Sequence, residues 1–298
     1  MQYQCFKVSV ENRIAHVVLN RPARRNSMIP AFWDELPAII QALDREALAR
    51  VIVLSSTGPH FTSGLDTSVF GSTIDNSDNS DNGDNSDDPI TMELLNRQRS
   101  AKLYDTITYM QQTFTCLEEC RVPVLVAIQG GAIGGGVDLV TACDMRFMTG
   151  DAFLTIFEIN IGMTADVGTF PRITKLLPEG IVKELAYTGR RMLAPEAQAL
   201  GFVNAVFPDQ AAMLDGVMRL AEEIASKAPL AIYGSKRIIN YSRDHSTADT
   251  LDYISAWSGG MLQSAEINEA IAAATEKRPP EFADLPVKRM QMSKDGIA

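Results

Sequence analysis

The segment VAIQGGAIGGGVDLVTACDMRF, Val126–Phe147, runs from continuous apolar residues into five glycines within seven positions, then into a helix-like stretch. That order restricts the chain to folds in which a buried strand turns sharply into a helix packed against it. Glycine is the residue that tolerates both the turn and the close approach. One residue resists a purely structural account. Asp138 stands between Val137 and Leu139, where a packed helix would bury it, and an uncompensated buried carboxylate is costly.

Strand, glycine cluster and helix also form phosphate-binding turns, but the spacing excludes the two common kinds. No Lys-Ser or Lys-Thr follows the glycines, as a P-loop requires, and no G-x-G-x-x-G register starts at Gly130, Gly131 or Gly134. Glu158 lies about 20 residues on, where a ribose-binding acid would stand, yet without the fingerprint this match carries little. Two readings stay open. Either the glycines serve packing alone and Asp138 partners the helix dipole, or amides of the turn face a ligand oxygen that gains negative charge. HFTSGLD, residues 60–66, is a second turn able to supply a second donor.

Strand-like and helix-like segments alternate along the rest of the chain. CFKVSV and IAHVVL, 5–10 and 14–19, read as a hairpin across ENR, and Pro30 opens a helix in PAFWDELPAIIQALDRE. VIVLSS and PVLVAIQG read as buried strands, MRFM and AFLTI as short ones. Leu103, Ile107, Met110, Phe114 and Leu117 repeat at helical spacing, and the stripe ends before Val122-Pro123. Segments 192–204, 211–227, 229–241 and 247–275 read as mostly helical. Strands and helices through the first two-thirds, then helices alone, predict an α/β core with a helical C-terminal region. The predicted division is a core over 1–208 and a helical region over 209–298, with a mobile acidic insertion at 72–89.

Within that insertion, 75–88 (DNSDNSDNGDNSDD) holds six aspartates and no base, and leaves the remainder of this −10 chain at only −4. A broad nucleic-acid-binding face is excluded, while an anionic ligand needs only a local basic patch. Cys5, Cys116, Cys120 and Cys143 have no disulfide-framework spacing, and with three histidines no metal site is expected. No apolar run approaches membrane-spanning length. The N-terminal MQYQCFKVSVEN lacks a signal-peptide pattern, and the terminal KDGIA is not a peroxisomal tail. Arg21, Arg24 and Arg25 follow a strand in a loop, where cations meet phosphates or simply face solvent.

Five segments, in order, resemble landmarks of the crotonase (enoyl-CoA hydratase/isomerase) superfamily: VVLNRPARRNSM, HFTSGLD, IQGGAIGGGVDLVTACDMR, FEINIGMTADVGTFPRI and EKRPPEF. The resemblance covers roughly residues 8–285. It implies a spiral of ββα repeats whose C-terminal helices build homotrimers and often hexamers. Fatty acyl-CoA would be the substrate, with no separate cofactor, and a peroxisome or mitochondrion the usual compartment, the cytoplasm being the other option. Backbone N–H groups of Leu65 and Gly135 would form an oxyanion hole for the thioester carbonyl, each donor worth about 3–4 kcal/mol in the transition state. Lys277 and Arg278 would be further CoA contacts, offered to a neighbouring subunit.

Asp138, Glu158 and Asp166, spaced 20 and then 8, resemble the acid set of Δ3,5-Δ2,4-dienoyl-CoA isomerases, as do GGGVDLVTACD, ADVGT and SRDHS. Hydratases or Δ3-Δ2-enoyl-CoA isomerases are the alternative within the superfamily, and a non-catalytic acyl-CoA-binding protein is the alternative outside enzymes. Moving a 3,5-diene into conjugation removes a proton at C2 and delivers one at C6, too far apart for one carboxylate. The resemblance implies Glu158 at C2, Asp166 at C6 and Asp138 as an electrostatic or hydrogen-bonding aid. Burial is expected to raise the pKa of both proton carriers. Structural alternatives exist for two of them: Glu158 paired with an arginine such as Arg172, and Asp166 as a turn or cap residue. Thr67 and the acidic insertion fall near the expected acyl pocket and leave chain length open.

Overall fold

The computed structural model describes residues 3–66 and 89–288, so Thr67 and the acidic tract 75–88 lie outside the described residues. The chain begins with β1 (Phe6–Glu11) and β2 (Ile14–Leu19), an antiparallel pair joined by Asn12 and Arg13. Both turn residues have positive φ, 49° and 65°, as a two-residue type I′ hairpin requires. Helix α1 (Pro30–Arg45) follows, then β3 (Val51–Ser56), α2 (Pro89–Glu119), β4 (Val124–Ile128), β5 (Gly131–Ile133) and α3 (Gly135–Thr141). Next come β6 (Met145–Thr149), β7 (Phe153–Thr155), α4 (Thr169–Ile173), α5 (Glu179–Thr188), β8 (Met192–Leu193), α6 (Ala194–Ala199) and β9 (Ala205–Phe207). Four helices complete the chain: α7 (Gln210–Ala225), α8 (Pro229–Ser242), α9 (Thr247–Met261) and α10 (Ser264–Glu276).

Six strands form one sheet in the order β1-β2-β3-β4-β6-β9, parallel from β2 onward, and β5-β7-β8 form a second. Consecutive strands part company. β4 and β6 enter the large sheet, while their successors β5 and β7 enter the small one before a helix returns the chain. This repeated strand–strand–helix unit is the expected ββα spiral, and three-residue strands suffice because each is buried between layers.

Alternation along the strands divides the interior. Ile14, Val51, Val53, Leu125, Ala127 and Phe147 face α7, which answers with Met213, Val217, Ala221 and Ala225 at every fourth position. Val17, Leu19, Ile52, Leu54, Val124, Val126 and Ile128 belong to the larger cluster with α1 and the small sheet. β3 is buried on both faces, hence its unbroken apolar run. Asp44 and Arg121 pair inside the body, and Arg121 Nη1 also donates to the Pro286 carbonyl at 2.7 Å. Arg50 donates to the Phe282 carbonyl at 2.6 Å, so two arginines strap the C-terminal segment to the core.

Three expectations change. Residues 192–204 hold β8, the short α6 and a turn into β9, because Ala194–Ala199 alone carries the helical signal. The 247–275 segment is two helices, broken where Leu262 and Gln263 turn extended. Finally, the stripe on α2 docks over its C-terminal half only: Phe114 and Leu117 are fully buried, whereas Leu103 is 59% exposed. Several apolar side chains of the last two helices and the link between them, Leu251, Leu262 and Ile271 among them, are likewise exposed. Among the described residues no helix is long and apolar enough to cross a membrane.

Candidate active site

The turn after β3 is braced by the loop that precedes α1. Asn26, 3% exposed, donates to the carbonyls of Thr57 (2.8 Å) and His60 (3.1 Å) and accepts from the Arg21 amide (2.7 Å). Thr62 Oγ1 donates to the Asn26 carbonyl at 2.7 Å, and Met28 and Leu65 form a bridge through Met28 N–H to Gly64 O, 2.8 Å, and Asp66 N–H to Met28 O, 3.0 Å. The Leu65 amide is left over. Among the described residues no acceptor takes it, and the same holds for the amide of Gly135 at the start of α3. The two turns abut: a Cβ on Gly64 would lie 3.3 Å from Gly135 N, and one on Gly135 would lie 4.0 Å from Leu65 N. Two unpaired donors therefore stand side by side.

Glu158 opens a 3-10 turn just after β7. Its Oε1 would be 3.2 Å from a Cβ on Gly134, and its Oε2 is buried with no hydrogen-bond partner among the described residues. Burial pushes this carboxyl up to about 7; the charges of Asp138 and Asp166 push the same way, against backbone hydrogen bonds from its own and the Phe157 amide. Asp138, on α3, is 1% exposed and accepts from Thr169 Oγ1 at 2.8 Å. Burial raises it to about 6, opposed by the Thr169 hydrogen bonds and by Arg172. Asp166 is half-buried, and burial raises it too, against a hydrogen bond from its own amide. Its carbonyl is held by Gln111 Nε2 of α2 at 2.7 Å. The structure thus brings all three acids within electrostatic reach of one another.

Arg172 pairs with Glu118 (2.7 Å), not with Glu158, and the residue capping α4 is Gly168, so Asp166, two places earlier, lies in the turn before the helix without capping it. Asp166 also lines a cavity of about 400 Å³ with Gln111, Thr115 and Phe170, which gives its carboxyl a route to water.

The basic candidates divide. Arg21 turns inward, donating to the Ser27 carbonyl and reaching Asp66 at 4.0 Å, so it braces the Leu65 turn rather than standing ready for a phosphate. Arg24 and Arg25 are exposed, with no ion pair among the described residues. Arg278 is held by Glu269 (2.6 Å) and Glu276 (2.6 Å), while Lys277 is exposed beside it. Among the described residues no hydrogen bond joins these last two to the acids. Sequence reasoning missed Thr169 and Gln111, since neither spacing nor composition shows which side chain will reach an acid. Among the described residues no three His, Cys, Asp or Glu side chains are grouped to hold a metal.

An undonated amide pair beside carboxyls that exchange protons near neutrality suits removal of a proton next to a carbonyl, with the developing oxyanion held in place. Comparison with known proteins points the same way. Residues 90–285 match the enoyl-CoA hydratase/isomerase family model. The chain is 41% identical over 278 residues to the mitochondrial Δ3,5-Δ2,4-dienoyl-CoA isomerase of Pongo abelii, covering 93% of this chain and 80% of that one. It is 38% identical over 283 residues to the peroxisomal Δ3,5-Δ2,4-dienoyl-CoA isomerase of Arabidopsis thaliana, covering 95% and 97%. The crystal structure of an enoyl-CoA hydratase from Bacillus anthracis superposes with a TM-score of 0.80 at 27% identity, over 94% of this chain and 99% of that one.

Proposed function

The chain belongs to the enoyl-CoA hydratase/isomerase family, and within it we propose a Δ3,5-Δ2,4-dienoyl-CoA isomerase acting on an unsaturated fatty acyl-CoA. The observation that carries the reading is the gathering of Asp138, Glu158 and Asp166, with Glu158 Oε1 beside Gly134 and its Oε2 buried with no hydrogen-bond partner among the described residues. A hydratase or simple enoyl isomerase has no use for a third acid placed to serve a distant carbon.

In the proposed mechanism the thioester oxygen sits between the amides of Leu65 and Gly135. Glu158, ionised, takes the C2 proton, and the electron pair moves through the diene while the oxyanion is stabilised by the two donors. Asp166, protonated, then gives its proton to C6, which leaves the 2,4-diene conjugated with the thioester. Glu158 now holds a proton and Asp166 a charge. Exchange with solvent through the cavity at Asp166 restores the starting state. Asp138 steadies the proton balance without touching the reacting carbons. Arg24, Arg25 and Lys277, all exposed, are the candidate cations offered to the CoA phosphates.

Support for an assembly of subunits comes from the apolar side chains exposed on α9 and α10, and a trimer or hexamer is the form inferred. The relatives include mitochondrial and peroxisomal proteins, and one of those compartments is inferred for this chain. The test is direct. Purified protein should convert a 3,5-dienoyl-CoA to the 2,4-isomer, faster than it hydrates a 2-enoyl-CoA; the reverse ranking would make it a hydratase.

A further inference from the structure

Thr169 is 1% exposed, and among the described residues its hydroxyl donates to one acceptor, Asp138 Oδ1 at 2.8 Å. Its backbone N–H bonds the same carboxyl. The residue opens α4 and stands three positions after Asp166, with Gly168 (φ 127°) turning the chain between them. From the other side, Gln111 holds the Asp166 carbonyl. A single turn thus carries one acid and clamps another. The geometry points to Thr169 as a positioning residue for the acid set: its hydroxyl keeps Asp138 an acceptor and ties the Asp166 turn to α3.

The charged groups around Asp138 are Arg172 on α4, Asp166 in the turn before it and Glu158 after β7. β5 and β7, also packed on α3, bring no titratable side chain. Hydrogen bonds to a carboxylate favour its charged form, so without the Thr169 hydroxyl Asp138 keeps its proton to higher pH. Asp138 as an anion is in turn one of the charges raising Glu158. Once Asp138 is neutral, Glu158 ionises at lower pH. The two carboxyls therefore move in opposite directions, a signature that general loosening of the fold would not produce.

For turnover this inference rests on the isomerase reading, whereas for Asp138 itself it does not. The variants are Thr169→Val and Thr169→Ser, with Thr169→Ala replacing valine if valine does not fold. Infrared titration of protein labelled with 13C-aspartate, Asp138→Asn identifying the band, reads Asp138 without substrate. Thr169→Val should raise the Asp138 midpoint by about half a unit or more and lower the acid limb of kcat/KM for a 3,5-dienoyl-CoA. Thr169→Ser should leave both where they are in the wild type. An unmoved Asp138 band in the valine or alanine variant overturns the inference, as does a serine variant that behaves like valine. A moved band in a protein that never turns over 3,5-dienoyl-CoA upholds it and removes the isomerase reading alone.

Discussion

The carboxylate of Glu158 occupies the space that a side chain on Gly134 would need, with Oε1 3.2 Å from the missing Cβ. Gly134 also has φ 53° and ψ −118°, a conformation that side-chain-bearing residues avoid. Glycine is therefore required twice, once by the backbone and once by the acid. Gly134→Ala should cost about 1–3 kcal/mol of stability in urea denaturation. It should also cut kcat at least tenfold, roughly 1.4 kcal/mol of barrier, because Glu158 must shift. An alanine enzyme with wild-type kcat would show that this contact does not place the acid.

Glu158→Gln separates chemistry from folding. The folded-state pKa of about 7 lies above the unfolded one, so the acid stabilises the fold below the unfolded range and loses that contribution as pH rises through 7. Glutamine carries no such dependence. The variant should gain on wild type by on the order of 2 kcal/mol between about pH 5 and pH 8, while turnover falls about 10²- to 10⁴-fold. Paired denaturation curves at the two pH values decide it.

Asp166→Asn should stop delivery to C6 while leaving removal at C2 intact. In heavy water, the variant is expected to wash deuterium into C2 of a 3,5-dienoyl-CoA although formation of the 2,4-isomer drops about 10²- to 10⁴-fold. Mass spectrometry of recovered substrate reads the exchange. Loss of both processes together would assign the two carbons differently.

Stability without chemistry can be probed at Arg121, whose Nε lies 2.7 Å from Asp44 Oδ1 with both side chains 7% exposed. Arg121→Met takes the guanidinium from a buried carboxylate and leaves it, among the described residues, with Lys288 and the residue-121 amide. A loss of about 3 kcal/mol is expected, with kcat unchanged in the folded fraction. A variant as stable as wild type would mean that Lys288 compensates.

The hairpin, the buried strands and Asp138 were legible because each leaves a local signal: alternation, an unbroken apolar run, a carboxylate in apolar surroundings. Glu158 and Asp166 leave none, and only their resemblance to a family's acid set picked them out. The small sheet was not legible. β5 and β8 are three and two residues long, too short for any period to register, and their pairing is set by the layers around them. Arg21 was read as a phosphate ligand from its charge and loop, but its bonds to Ser27 and Asp66 follow from where the chain folds back. Thr169 three positions beyond Asp166 looked like any residue in a glycine-containing turn, and only the tertiary fold aims its hydroxyl at Asp138.

Leu65 follows a strand of the large sheet and Gly135 a strand of the small one, and the two meet through the bridge between Thr62 and Ala132. The proposed carbonyl receptor is thus a seam, complete only when the two sheets have docked. During refolding, helical and strand signals should recover first, and catalysis only when the sheets dock. A chain halted at that stage would be nearly full in circular dichroism and silent towards substrate.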